Sequence, residues 1–321
     1  MQDVTDLPFW RLLAGYGGAD VYVTEYFRVH AVSRLDKHIL KSITENPTGR
    51  PVVAQVIGND IPALVRTARE LQRHPIAAVD LNLGCPAPVV YRKCAGGGLL
   101  REPHRIDAIL GALREAVTTK FTVKTRIGFD APEEIERLLP VFAKHALDLL
   151  VVHGRTVREG MRSPVHYDRI AQAVAAMRCP VVANGDVFSA RQALAVIAQT
   201  KARGVMIGRG AIRNPWIFQQ IRQLQRNEPM FIPTGRDVLA YVRALYAATC
   251  PPDIVEGKQV KKMKLYMIHL APGVDAEGQF LHQIRRVENA AEFFGVCETF
   301  LNHDQPMPLE FHTNKVEGLK S

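Results

Sequence analysis

The sequence has no Cys-x-x-Cys pair, no long uninterrupted apolar run and no basic region at its start. A membrane-spanning helix needs about 18 apolar residues and a secretory signal needs a positive n-region, so neither is predicted. The few cysteines are scattered and odd in number, which disfavours a disulfide framework and a thiolate zinc site. We therefore expect a cytoplasmic protein with reduced thiols and no metal or membrane partner. The cysteines are Cys85, Cys94, Cys179, Cys250 and Cys297.

Acidic residues are also in deficit. The 321 residues include 41 Lys and Arg against 32 Asp and Glu, which gives a formal net charge of +9. Such a charge helps a protein to attract phosphate groups and nucleic acids. Charge alone favours a polyanionic partner no more than it favours an ordinary basic surface, so both interpretations stay open at this point.

Short β-branched stretches alternate with amphipathic ones over the first two thirds of the chain. This alternation predicts parallel strands joined by helical crossovers, an α/β fold of the (β/α)8 TIM barrel type. Strands are predicted at 20–25, 51–58, 77–83, 121–127, 148–153, 180–184 and 204–208, and helices at 6–16, 60–73, 103–117, 133–145, 167–177 and 189–199.

Only seven strands are predicted, whereas a closed barrel of this type has eight. The residues from Met1 to Asp6 have the character of a loop that follows a strand, so the first strand is expected to be missing. Either the true start of the protein lies upstream of Met1, or the sheet keeps an open edge. We favour the upstream start.

The strand pattern stops near residue 236, and helical periodicity continues over 236–249, 257–270 and 278–302. We predict a barrel domain over 1–235, a helical domain over 236–303 and a loose tail over 304–321. The protein is expected to be a monomer.

The ends of the last two strands carry glycine-rich loops. One contains Asn184, Gly185 and Asp186, and the other begins with Gly208 and Arg209. Glycine lets backbone N–H groups approach a phosphate closely, and a following helix start adds partial positive charge. Because phosphate sites in these barrels commonly use these two loops, the sequence predicts a ligand that carries phosphate.

Polar side chains interrupt several of the apolar strands. Gln55 needs a hydrogen-bond partner if it is buried, which a flavin ring or a neighbouring side chain would supply. Lys124 and Arg126 alternate along one strand and point to the same side, which predicts an anionic group facing them. His153 ends its strand directly before Gly154, and this position favours a functional over a structural role.

Cys85 lies at the end of another predicted strand, before the glycine run from Gly96 to Gly98. A thiol at a strand end is well placed to meet a substrate. An unperturbed thiol is mostly protonated at neutral pH, so it can act as a general acid. The alternative is that the cysteine is a small buried hydrophobe, and we accept that interpretation for the other four cysteines.

Seven short motifs resemble, in order, the tRNA-dihydrouridine synthase family. Each motif is short, but the ordered set over residues 1–215 is specific, and the helical C-terminal part resembles the family more loosely. The motifs are MQDVTD from Met1, VTEYFR from Val23, VDLNLGCPAP from Val79, VKTRIG from Val123, VVHGRT from Val151, ANGDV from Ala183 and MIGRGA from Met206.

The resemblance implies an enzyme that binds FMN, takes electrons from NADPH and reduces the C5–C6 double bond of selected uridines in tRNA. Reduced FMN would pass a hydride to C6 of uracil, and Cys85 would protonate C5 from the opposite side. By family position the FMN contacts would be Met1, Gln55, Lys124, His153, Asn184, Asp186, Gly208 and Arg209, and Asn82 and Arg155 would lie near the uridine.

A cluster of lysines falls within the predicted helical domain, at Lys258, Lys261, Lys262 and Lys264. Such a run is usually a solvated helix face. Beside a barrel that resembles a tRNA-modifying enzyme, we expect these lysines to contact tRNA phosphates, with binding that weakens steeply as salt rises.

Two other functions are compatible with parts of this pattern. One is an FMN-barrel reductase of a free pyrimidine or an enone, against which the basic helical domain argues. The other is an RNA-binding barrel that holds no flavin, against which Lys124, Cys85 and the glycine loops argue.

Overall fold

The computed structural model describes residues 4–161 and 163–310. Its sheet is entirely parallel, with the strand order β1-β3-β4-β5-β6-β7-β8 and with β2 beside β3. The strands are β1 (Tyr22–Val23), β2 (Phe27–Arg28), β3 (Val52–Ile57), β4 (Ala78–Leu83), β5 (Lys120–Arg126), β6 (Leu149–His153), β7 (Val181–Asn184) and β8 (Gly204–Met206).

The first two strands form one interrupted edge of the sheet. β1 pairs with the start of β3, where Tyr22 faces Val52, and β2 pairs with its end, where Phe27 faces Val56. The eight strands therefore occupy seven positions, as predicted. Within residues 4–161 and 163–310, β8 pairs only with β7, so the sheet curls into part of a barrel and stays open beside β8. The predicted α/β barrel fold is confirmed in this form.

Fourteen helices are found in the described part of the chain. The six that were predicted before residue 200 form within two residues of the predicted bounds. Two others before residue 200 were missed, one that starts at Lys37 and is capped by Asp36 and a short one over Pro88–Tyr91. The helices are α1 (Leu7–Gly15), α2 (Lys37–Thr44), α3 (Ile61–Leu71), α4 (Pro88–Tyr91), α5 (Pro103–Ala116), α6 (Ile135–Ala143), α7 (Tyr167–Ala176), α8 (Ala190–Thr200), α9 (Arg209–Arg213), α10 (Ile217–Gln225), α11 (Gly235–Thr249), α12 (Glu256–Leu270), α13 (Gln279–Ile284) and α14 (Ala290–Leu301).

The two faces of the sheet differ in polarity. Every residue of β4 is buried, yet Val79 and Leu81 alternate with Asp80 and Asn82. Alternate residues of a strand point to opposite faces, so one face is apolar and the other carries polar groups. Strand register places Gln55 beside Asp80, Asp80 beside Thr122 and Asn82 beside Lys124, all on the polar face. The fold thus gathers polar side chains from three adjacent strands.

The described chain divides into two compact units. The first contains Ala19–Asp186 and Leu194–Met206, and the second contains Pro8–Gly18, Val187–Ala193 and the chain from Ile207 onward. The second unit is helical, and its aromatic core packs Tyr16 edge-on against Trp216 and Tyr241. The boundary at residues 235 and 236 stays a prediction.

The last predicted helix, 278–302, forms as two. The first ends at Ile284, and α14 begins after Asn289, whose side chain accepts from the backbone N–H of Glu292. Residues within the predicted tail are packed: Met307 donates its N–H to the carbonyl of Pro233, and Leu309 is buried. None of the helices in residues 4–161 and 163–310 is long and apolar enough to cross a membrane.

A tightly packed loop follows β4. It contains α4 and a 3₁₀ helix over Gly96–Arg101, and Gly96 adopts a left-handed φ of +53°. A Cβ atom added at Gly96 would lie 2.9 Å from Cδ1 of Ile57 and 3.0 Å from Cβ of Cys85. Only glycine suits this position, because a side chain would be strained and would push against Cys85.

We predict that Gly96→Ala lowers the free energy of unfolding by about 2–4 kcal/mol, since left-handed strain and overpacking add. Gly49→Ala is the matched control, because Gly49 has a φ of +64° and nothing within 4 Å of an added Cβ atom. Urea unfolding of both variants measures the difference. If the two variants lose the same free energy of unfolding, the loop accommodates the added methyl group without a packing cost.

Candidate active site

A chain of hydrogen bonds crosses the polar face of the sheet. The amide of Gln55 donates through Nε2 to Oδ2 of Asp80 at 2.8 Å, and Thr122 donates its hydroxyl to Oδ1 of Asp80 at 2.6 Å. Asn82 donates through Nδ2 to Oε1 of Gln55 at 2.7 Å. All four side chains are buried, so these bonds satisfy groups that would otherwise be costly to bury.

The chain continues into the loop that holds Cys85. Oδ1 of Asn82 accepts the backbone N–H groups of Gly84 at 3.0 Å and of Cys85 at 2.9 Å. Cys85 is half-buried, and its thiol interacts with the phenol of Tyr26, whose pKa is raised by burial and by Cys85. Tyr26 lies between the two strands of the interrupted edge, and it was not singled out as a site residue from the sequence.

Lys124 and Asp80 bring opposite charges to the same face. Burial, and secondarily Arg126, lower the pKa of Lys124 to about 8, while Asp80 and Cys85 act in the opposite direction. Burial raises the pKa of Asp80 to about 6, against the effects of Thr122, Gln55 and Lys124. Lys124 is half-buried, and no hydrogen bond or ion pair joins its ammonium group to another described residue. Its charge is therefore free to meet a ligand.

Arg126 behaves differently from Lys124. Its guanidinium is buried and donates to three backbone carbonyls, those of Gly84 at 3.0 Å, Thr156 at 2.7 Å and Gly160 at 2.9 Å. The expectation that an anionic group faces both cations stays a prediction, and for Arg126 these three carbonyls already accept hydrogen bonds from its guanidinium. Arg126 instead ties together the loops that follow β4 and β6.

Arg155, predicted to lie near the uridine, and Asp186, predicted to contact FMN, form an ion pair with each other. Arg155, 2% exposed, donates to both carboxylate oxygens of Asp186, with Nη1 to Oδ1 at 2.9 Å, and through Nε to the carbonyl of Ser163 at 2.6 Å. His153 is buried at the end of β6. The predicted contacts of Arg155 with uridine and of Asp186 with FMN stay predictions.

Asn184 and Gly185, at the end of β7, both form hydrogen bonds with neighbouring segments. Asn184 donates through Nδ2 to the carbonyl of Met206 at 2.9 Å, which links β7 to β8. Gly185 has a φ of +130° and accepts the hydroxyl of Tyr167 at 2.9 Å. Burial, and then Asp186, raise the pKa of Tyr167 to about 12. Met1 lies outside the described residues.

In the second unit, Arg209 begins α9 directly after Gly208. The guanidinium carbon of Arg209 lies 5.4 Å from the ring centre of Phe188, and that of Arg213 lies 4.4 Å from the same ring. Burial, followed by these two arginines, lowers the pKa of His269 to about 4. This concentration of positive charge is consistent with a phosphate ligand, and Arg213 was missed although it is four residues beyond Arg209.

The four predicted tRNA-contacting lysines do not share one environment. Lys258 and Lys261 are exposed on α12, whereas Lys262 and Lys264 are half-buried. Lys264 donates through Nζ to the carbonyl of Arg285 at 3.0 Å, near the end of α13. Two of the four therefore present their charge freely on one helix face.

We predict that Lys124→Met stabilises the ligand-free protein at pH 7 by about 1–3 kcal/mol, because the buried ammonium group is disfavoured there. The folded pKa lies below the ordinary value of 10.5, so the cost is full below about pH 8 and shrinks as the pH rises toward 10.5. Urea unfolding at pH 7 and pH 10 measures it. Lys120→Met, at the exposed start of the same strand, is the control and should change stability little.

Comparison with known proteins gives the family. The family model described as dihydrouridine synthase matches residues 1–304. A "tRNA-dihydrouridine(16) synthase" of Neisseria meningitidis serogroup A is 29% identical over 94% of this chain and 92% of its own. One of Ralstonia nicotianae is 31% identical over 93% of both chains.

A solved structure supports the fold alone. Histamine dehydrogenase from Rhizobium sp. 4-9 has a TM-score of 0.53 and 12% identity, over 75% of this chain and 47% of that one. This chain thus spans about half the length of that protein. The match of the family model over nearly the whole chain, together with these relatives, shows that the protein belongs to the dihydrouridine synthase family.

Proposed function

We propose that the protein reduces the C5–C6 double bond of a uridine in tRNA, with bound FMN and with NADPH as the electron donor. The observation that carries this proposal is the pairing of a half-buried thiol with an ammonium group at the carboxyl ends of two adjacent strands. Among residues 4–161 and 163–310, no hydrogen bond or ion pair holds that ammonium group. Cys85 acts electrostatically on Lys124 there, and a chain of polar side chains holds the backbone of the cysteine loop.

The residues of this face fit a flavin. A flavin ring offers both donors and acceptors and becomes electron-rich on reduction, which suits the ammonium group of Lys124. Gln55 and Asn82 each keep further hydrogen-bonding capacity after the bonds described above, because an amide has two N–H groups and two lone pairs. When bound, FMN would supply the hydride. The proposed FMN contacts are Gln55, Lys124, His153, Asn184, Gly185 and Asp186, while the FMN contacts implied for Gly208 and Arg209 stay predictions.

The protein's own side chains contribute to the reaction by supplying a proton. Bound FMN, reduced by NADPH, would be the source of the hydride for C6 of the uracil, and the Cys85 thiol would give its proton to C5. The resulting thiolate regains its proton from solvent, so the sum is one NADPH and one proton consumed for each dihydrouridine formed. Asn82 holds the backbone of Cys85 in place during this step.

The substrate base must leave its stack to reach a strand-end site, since an enzyme cannot modify a base inside folded RNA. The tRNA itself is proposed to be held through its phosphates, by Lys258 and Lys261 in particular. A reductase of free pyrimidines is the competing function, and it would need no basic helix of this kind.

The decisive experiment maps dihydrouridine along tRNA from cells with and without the gene, including position 16, which the names of two relatives specify. Purified protein should be yellow and should reduce unmodified tRNA but not free uridine. Reduction of free uridine alone would support the competing reductase, and colourless protein that binds tRNA would support the flavin-less RNA-binding barrel.

We predict that Cys85→Ala keeps bound flavin and lowers the rate of tRNA reduction by about 10²- to 10⁴-fold, the range of a positioned general acid. Cys94→Ala, in the same loop and also half-buried, is the matched control and should react at the normal rate. Flavin absorbance and the oxidation of reduced flavin by tRNA are the two measurements. Full activity of Cys85→Ala would remove the thiol from the reaction.

We also predict that Lys258→Gln/Lys261→Gln raises the apparent dissociation constant for tRNA several-fold, by about 1 kcal/mol for the pair, and flattens its salt dependence. Oxidation of NADPH without tRNA should be unchanged. The control variant Lys120→Gln/Lys201→Gln removes the same charge from two other exposed positions. If both double variants bind tRNA alike, the RNA docks elsewhere.

A further inference from the structure

The reaction proposed above gives no role to the buried carboxylate of Asp80. Asp80 is 3% exposed, and both of its carboxylate oxygens accept hydrogen bonds, one from Thr122 and one from Gln55. A buried carboxylate is costly to keep, and a neutral side chain of the same size would fill the space. Its presence beneath the candidate site therefore calls for a function.

The carboxylate determines the direction of the whole hydrogen-bond chain. An ionised carboxylate only accepts, so Gln55 must turn its Nε2 toward Asp80 and its Oε1 toward Asn82. Asn82 must then donate to Gln55 and turn its Oδ1 toward the N–H groups of Gly84 and Cys85. Turning either amide around would place donors against donors.

The same carboxylate is the negative charge that faces Lys124. The register places Lys124 beside Asn82 and Thr122 beside Asp80, so the carboxylate lies one level below the ammonium group on the adjacent strand. The other charged or titratable groups that act on Lys124 are Arg126 on its own strand and Cys85 in the loop after β4. Of these, Arg126 opposes the charge on Lys124, which leaves Asp80 as the carboxylate that supports it.

We propose that Asp80 is a positioning residue, whose carboxylate sets the direction of the chain from Gln55 through Asn82 to the Cys85 loop and keeps Lys124 charged. The consequences for tRNA reduction rest on the proposed function, whereas the effects on the cysteine loop and on Lys124 do not.

Two substitutions that keep the number of side-chain heavy atoms separate the two effects. Asp80→Asn can still accept from Gln55 and can donate to the hydroxyl of Thr122, which is able to accept, so the chain keeps its direction and loses its charge. Asp80→Leu removes the acceptor as well, and leaves the amide of Gln55 without its partner. Thermal unfolding and flavin absorbance verify that each variant is folded.

The first readout is the rate at which iodoacetamide alkylates Cys85, measured by peptide mass spectrometry with Cys94 in the same loop as an internal reference. We expect the Cys85-to-Cys94 ratio to stay within about threefold in Asp80→Asn and to change by about tenfold or more in Asp80→Leu, because a lost buried hydrogen bond releases the loop. Equal ratios in the two variants would overturn the directing role.

The second readout is the titration of Lys124 in the flavin-free protein, followed by NMR with labelled lysine and assigned with Lys124→Arg. In Asp80→Asn, Lys124 should lose its proton at a lower pH than in the parent protein. A superimposable titration would overturn the charge-supporting role, and this holds even if Asp80→Leu fails to fold.

Activity is the third measurement. Formation of dihydrouridine should fall by about 10- to 100-fold in Asp80→Leu and much less in Asp80→Asn at neutral pH. If the parent protein forms no dihydrouridine while the first two readouts behave as expected, the proposed function fails and the role of Asp80 stands. If the parent protein is active and Asp80→Leu matches Asp80→Asn in rate, the role of Asp80 in positioning fails.

Discussion

The site depends on a set of polar groups that are buried on one face of a parallel sheet and satisfy one another. Gln55, Asp80, Asn82 and Thr122 come from three adjacent strands, and their hydrogen bonds offset the cost of burying them. Each strand places its polar side chains at a fixed register. The hydrogen bonds between these side chains therefore persist only while the strands keep their pairing. The apolar faces of the same strands pack in the core and maintain that pairing, so the core and the site are parts of one arrangement.

The strands from β3 to β6 could be predicted closely because they are largely buried and are rich in apolar residues over their length. The interrupted edge could not, since Tyr22–Val23 and Phe27–Arg28 are too short to leave a pattern of their own. Helical periodicity likewise continues across the break before α14, so a single helix was predicted over 278–302. That break is set by the side chain of Asn289 capping a new helix, a local hydrogen bond that periodicity does not register.

The placement of Cys85 and Lys124 near the ends of their strands could be predicted from their positions along the sequence, while their roles stay predictions. The role of a side chain could not be predicted when that role depends on which residue it contacts in the folded protein. Arg126 has the same spacing and charge as a ligand-binding residue, yet its guanidinium is used by backbone carbonyls. Asp80 received no role from the sequence, because its partners lie on strands 25 and 42 residues away and meet it only through the sheet register. Lys264 similarly contacts a carbonyl 21 residues away.

The guanidinium of Arg126 joins the loops after β4 and β6 by donating hydrogen bonds to backbone carbonyl oxygens, which every residue has. A substitution at Thr156 therefore leaves its carbonyl available to this clamp, whereas Gly160 has a φ of +60°, which favours glycine. The two loops differ in what they carry, one a thiol and the other Arg155. Because the clamp acts on the backbone, the side chains that these two loops present can differ in chemistry while the two backbones stay fixed to each other.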